Sequence, residues 1–210
     1  MTTPMVPGPF SLLRFTAAPA LYCLPEWWPS SLRRSLPRQP GSDVLALCSA
    51  TLLRRAGLDG SCEDASCGSA RAAVLSTSDF DRLTTMLGAL RRRDAVVRHI
   101  DATSIREVQR ALGDVSLGRL LTDPACSGVA LPGRAEVSDG TTLGAWLRIE
   151  GIRALGEAAA GWSRDVRVRA AFRVPRSVAK EWRSRCRGSS SDATAAVEAC
   201  LGVMVAPRWL

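Results

Sequence analysis

Between residues 78 and 121 apolar side chains return every three or four positions through three successive runs, and this period constrains the fold more than any other feature. Ser78 stands before Asp79-Phe80-Asp81, where a hydroxyl can accept from the free N–H groups of a helix start and acidic groups suit its positive end. Phe80, Leu83, Leu87 and Leu90 then share one helical face. Asp101 opens a second run with Ile105, Val108 and Leu112, stopped by Gly113. Asp114 opens a third with Val115, Leu117, Leu120 and Leu121, stopped before Asp123-Pro124. Short helices that are apolar on one side do not stand alone and must pack on one another. None of their inward positions carries a nucleophile, a metal ligand or a phosphate loop, so function is expected on the surface of a helical scaffold.

The rest of the chain is read around that block. Residues 1–9, with three prolines and a glycine, read as a flexible lead-in. Pro19, Pro25, Pro29 and Pro37 forbid one long helix between residues 10 and 36, so short helical pieces are expected there, one starting at Ser30 or Ser31. Trp27 and Trp28 are adjacent and cannot both face inward on a helix; one belongs to the core and the other covers a groove or meets a partner. Ser42 or Asp43 caps a helix that Gly57 ends, and residues 60–68 read as an exposed loop. Residues 122–139 are a long polar connection. A helix from Thr141 to about Glu157 carries a broad apolar arc through Leu143, Trp146, Leu147, Ile149, Ile152 and Leu155.

From residue 166 the period changes. Val166, Val168, Ala170, Phe172 and Val174 alternate with Arg167, Arg169, Ala171 and Arg173, which predicts a half-buried strand with arginines outside, open to β-addition. A short basic helix over 178–187, a linker at 188–191 and a last helix capped by Asp192 follow. The expected fold is mainly α: an irregular multi-helix single domain over 10–210, with a short β element near residues 165–174 and room for a small C-terminal subdomain over 160–210.

The chain has 28 Lys+Arg against 20 Asp+Glu, a formal charge of +8, which favours acidic partners. Lys180 is the only lysine among abundant Ala and Arg, so codon bias accounts for much of the arginine count but less for the net sign. Seven irregularly spaced cysteines do not make a secreted disulfide framework, and reduced thiols in a cytosolic protein are expected. The N-terminus lacks the basic and apolar regions of a signal peptide, and no run approaches the about 20 apolar residues that span a bilayer, so no direct membrane insertion is expected. Cys62 and Cys67 lack a second ligand pair for zinc, and no glycine-rich loop flanks a cysteine that the single histidine, His99, could activate. No enzyme, metal or cofactor is expected. Arg33-Arg34, Arg91-Arg92-Arg93 with Arg98, and Arg167, Arg169 and Arg173 with Arg183, Arg185 and Arg187 could form basic surfaces for an acidic protein. The rival is a nucleic-acid-binding protein using the same arginines.

Leu13-Arg14-Phe15, Ala20-Leu21-Tyr22 and Ser31-Leu32-Arg33-Arg34-Ser35-Leu36-Pro37 resemble the opening segment of the SctK group (YscK, PscK), accessory sorting-platform proteins of bacterial type III secretion systems. Leu87-Gly88-Ala89-Leu90 through Arg98, Ser104 and Leu120-Leu121 is similar to that family's central region, and Gly144-Ala145-Trp146-Leu147 and residues 166–175 to its last third. The resemblance implies a cytoplasmic, mainly helical, non-enzymatic adaptor of the injectisome, peripheral at the inner face of the inner membrane. Its implied partners are the forkhead-associated-like cytoplasmic domain of the ring protein (SctD) and the switch-complex pod protein (SctQ). The stator (SctL) and the ATPase (SctN) would be joined indirectly. Exposure arguments select Tyr22, Trp27, Trp28, Arg33 and Arg34 for one partner surface, and either Arg91, Arg92, Arg93 and Arg98 or Arg167, Arg169 and Arg173 for another.

Overall fold

A computed structural model describes residues 9–30, 33, 40–59, 62–98, 101–127, 131, 141–188 and 190–205. Its helices are α1 (Pro9–Ala17), α2 (Ser42–Ala56), α3 (Thr77–Arg91), α4 (Arg93–Arg98), α5 (Ala102–Leu112), α6 (Leu117–Thr122) and α7 (Pro124–Ser127). After these come α8 (Leu143–Ala158), α9 (Arg164–Ala171), α10 (Arg176–Arg185) and α11 (Ser191–Val205). Short 3₁₀ turns join several of them, among them Pro19–Leu21, Pro25–Trp27 and Gly68–Val74. Among the described residues there is no strand, so the fold is mainly α.

The centre is the pair α3 and α8, the most extensive helix contact in the molecule. Two glycines let their backbones touch. A Cβ on Gly88 would lie 1.8 Å from the Leu147 carbonyl oxygen, and one on Gly151 would lie 1.6 Å from that of Thr84. Residues 84 and 88 therefore meet 151 and 147, so the helices run antiparallel at a spacing that no other residue type permits. Phe80, Leu83, Met86 and Leu87 of α3 bury against Leu147, Ile152 and Leu155 of α8 in one continuous core. The small residues Ala193, Ala196 and Cys200 bring α11 onto both.

Caps agree with the sequence at some ends and move at others. Asp101 accepts from the N–H groups of Thr103 and Ser104, and Gly57, at φ 62°, closes α2. Helix α3 is capped by Ser76, whose Oγ accepts from Asp79 N at 3.1 Å, two residues before the expected Ser78. Ser116, and not Asp114, caps α6. The expected exposed loop at 60–68 is partly core: Cys62 and Ala65 are buried, while Cys67 is exposed. Most of the predicted helix near Ser31 and most of the connection over 122–139 lie outside the described residues.

The predicted strand at 165–174 is helix α9 and the turn after it. Val166, Arg169 and Ala170 are buried on the helix, and Arg173 just beyond it, at spacings of three and four. The alternation in the sequence is real, but it presumes that arginine faces water. Here two buried positions of a helical stripe are filled by arginine, which hides the helical period. The edge for β-addition disappears with the strand.

Candidate functional site

The arginines proposed as an outer surface divide into those used inside the molecule and those left at its edge. Arg91 and Arg92 end α3 and are only 8% and 7% exposed, because α8 presents Glu150 and Glu157 to them. Glu150, wholly buried, lies 2.6 Å from Arg92 and 3.5 Å from Arg91, and pairs also with Arg153. Glu157 takes Arg91 at 3.0 Å and Arg185 of α10. Glu181 closes the network onto Arg153 at 2.9 Å and Arg185 at 3.1 Å. Burial pushes the Glu181 carboxyl up, but hydrogen bonds and charge from Arg153 and then Arg185 outweigh it and hold it below its usual range. Arg91 and Arg92 are thus internal charges, and a basic surface around them is not formed; Arg93 and Arg98 are exposed.

Arg169 and Arg173 are also inside. Arg169, with none of its surface exposed, donates to the carbonyls of Thr16 and Asp59 and pairs with Asp165 at 3.5 Å. Arg173 donates to the carbonyls of Ala73, Leu75 and Ser76 at 2.8 to 3.0 Å and lies 4.1 Å over the Phe80 ring. It ties the turn before α3 to the chain after α9. Burial lowers its guanidinium to about 10, still cationic at neutral pH.

Of the N-terminal residues proposed for a partner, Tyr22 stacks on Phe15 at 5.4 Å and donates its hydroxyl to the Phe15 carbonyl. Trp28 donates its indole N–H to Cys23 Sγ, and Trp27 to the carbonyl of Val174 at 2.8 Å. Both tryptophans are half-buried, so neither is wholly core nor wholly free. Arg33 is exposed, and Arg34 lies outside the described residues.

Trp27 opens onto the groove that the sequence did not reveal, a concavity of about 750 Å³ between α2, α9 and α10. Each helix contributes a stripe. Leu52, Arg55 and Ala56 come from α2, and Arg164, Arg167, Val168 and Ala171 from α9, on the face opposite its buried one. Arg176, Ala179 and Arg183, with Arg187 just past the helix end, recur at three- and four-residue spacing along α10. Phe172 and Trp182 complete the floor. Six arginines line the groove and no carboxylate does. Arg164 meets Asp165 at 3.6 Å and donates to the carbonyls closing α2, and Arg167 donates to those of Ala160 and Cys186. Arg176 lies 5.1 Å over the Trp27 ring. Among the described residues no ion pair engages Arg55, Arg176, Arg183 or Arg187. Of the six arginines, the sequence placed Arg167, Arg183 and Arg187 in a candidate basic surface and singled out Arg167, with Trp27, as partner contacts. The repeat of Arg176, Arg183 and Arg187 was the available signal, but the three-helix assembly was not.

The groove offers binding and no nucleophile. Burial pushes the Cys186 thiol at its base up to about 11, so it stays protonated at neutral pH. Cys126 and Cys200, both buried, share a hydrogen bond that lowers the first thiol and raises the second. Among the described residues no group of three or more His, Cys, Asp or Glu could hold a metal ion, and no helix is long and apolar enough to cross a membrane. His99 lies outside the described residues.

A family model described as YOP proteins translocation protein K (YscK) matches residues 9–123. That span runs from the start of α1 to the end of α6 and includes α2 and Trp27 of the groove. No curated protein and no solved structure matches.

Proposed function

The chain belongs to the YscK family of type III secretion proteins, and from that premise we propose that it is a non-enzymatic adaptor of the injectisome's cytoplasmic sorting platform. In this reading it joins the cytoplasmic domain of the ring protein SctD to the pod protein SctQ. The stator SctL and the ATPase SctN are reached through SctQ. The protein sits at the inner face of the inner membrane, held by these contacts.

The observation that carries the reading is the groove: an apolar floor, six arginines and no carboxylate, with no reactive constellation beside it. Such a surface can hold an acidic macromolecule but equips no reaction. The aromatic residues favour protein over nucleic acid. Trp182 is 2% exposed and Arg176 already lies over one face of the half-buried Trp27 ring, which disfavours stacking of bases in the groove.

The test is capture of purified SctD cytoplasmic domain and SctQ by the full chain, separately and together, beside an immobilised DNA duplex. Capture of both proteins at once, with no DNA retained at physiological salt, is the expected result. Capture of neither protein removes the adaptor reading, and salt-dependent retention of arbitrary DNA replaces it with nucleic-acid binding.

A further inference from the structure

We infer that the groove between α2, α9 and α10 seats one amphipathic helix of a partner protein, with acidic residues flanking its apolar stripe; the inference rests on the reading of the chain as a protein adaptor. The floor of Val168, Ala171, Phe172, Ala179 and Trp182 calls for apolar anchors. A volume of about 750 Å³ is of the size that encloses a whole ligand or several side chains. Above the floor stand Arg55, Arg176, Arg183 and Arg187, whose side chains enter no ion pair among the described residues; the Glu26 carboxylate beside them accepts from the Arg176 backbone N–H at 2.6 Å. The apolar stems of these arginines extend the floor; Arg183 Nε donates to the Ala179 carbonyl and Arg176 lies over the Trp27 ring, and the terminal N–H groups of these guanidiniums face carboxylates brought by a partner.

The occupant's conformation follows from what the groove lacks. The lining comes from helices and the turns that join them, and among the described residues no strand edge exists anywhere. An extended segment laid here would leave its backbone N–H and C=O groups without partners. A helix satisfies its own backbone and presents anchors at three- and four-residue spacing, so it fits. A second copy of the chain is disfavoured, because it would bring another +8 charge to a surface already lined by six arginines.

The experiment measures fluorescence anisotropy of the full chain with a labelled synthetic peptide of about fifteen residues, leucines at helical spacing among glutamates. Three comparison probes are the same peptide with glutamine for glutamate, the glutamate peptide with a central proline, and an oligothymidylate of similar length. The glutamate peptide is expected to bind about tenfold or more tighter than each of the others at physiological salt. That binding is expected to fall at least about tenfold in Arg183→Glu/Arg187→Glu and in Ala171→Glu, and to persist in Arg98→Glu on α4. Arg183 and Arg187 are exposed, so their variant keeps its fold, which circular dichroism verifies.

Equal binding of the glutamine or proline peptide overturns the inference, as does glutamate-peptide binding that survives the Arg183→Glu/Arg187→Glu change. Oligothymidylate binding abolished by that change assigns the groove to nucleic acid. Concentration-dependent self-association abolished by it, seen in sedimentation, assigns the groove to a second copy. The two levels of interpretation separate in the SctD and SctQ capture. Failure of the unaltered chain to capture either one removes the adaptor reading. Capture of both, undiminished in Arg183→Glu/Arg187→Glu, leaves the adaptor standing and removes the groove helix.

Discussion

Two arginine clusters lie on either side of α10, and they have opposite fates. On one side Arg91, Arg92, Arg153 and Arg185 close around Glu150, Glu157 and Glu181. On the other, Arg176, Arg183 and Arg187 border a groove with no carboxylate. The helix divides its charges by face: Arg185 turns to the acidic network and Arg183 to the groove. A buried cation requires a partner, so the first cluster brought its own. Solvent tolerates an unpaired cation at the rim, so the second cluster can wait for one. Arginine content is the same signal in both places, and only the position of the carboxylates separates a structural charge from a binding one.

The sharpest way to break the inner cluster is to part its helices. Gly151→Ala places a methyl group against the Thr84 carbonyl, and because backbone cannot yield as a side chain does, a loss of about 4 kcal/mol or more is expected, read as an unfolded or aggregated product. Glu150→Gln comes next. It leaves Arg91 and Arg92 buried without full compensation, and denaturant unfolding should show a loss of about 3–5 kcal/mol. The same kind of change at the rim should do almost nothing to folding. Arg183→Glu/Arg187→Glu is expected to stay within about 0.5 kcal/mol per site by thermal melting, even where it abolishes partner binding.

The smallest effect sharpens the boundary between the clusters. Glu181 is held below its usual range by Arg153 and Arg185, so its pairing stabilises the fold above the ordinary carboxylate range and fades as pH falls through its lowered value. Glu181→Gln should therefore melt lower than the unaltered chain at pH 7, with the gap closing in acid below about 4. A gap that stays constant over that range would assign Glu181 a packing role only.

The helices around Phe80, Val108 and Leu147 were legible in the sequence because apolar residues fill their buried stripes. Helix α9 was not, because Arg169 and Arg173 stand where that stripe would be apolar, and their partners are backbone carbonyls of residues 16, 59 and 73–76. No pattern within residues 164–173 announces those partners. Arg91-Arg92-Arg93 was misread for the same reason: the carboxylates that bury its first two members lie far along the chain, on α8. The family resemblance held, since it rests on the order of features and not on which face each one presents. The groove was not legible in the sequence, because its walls come from three helices that the chain visits between residues 52 and 187.

The glycine-to-backbone contact of α3 and α8 also sets a timetable for biosynthesis. Helix α3 leaves the ribosome well before residues 147 and 151, its closest neighbours, exist. At ordinary elongation rates of about 5–20 residues per second, the side of α3 that meets α8 waits several seconds for it, with the nearer α5 and α6 to pack on meanwhile. A nascent chain in that condition is a natural client for chaperones. A ribosome stalled between the two helices would hold out a half-product whose α3 lacks its most extensive contact.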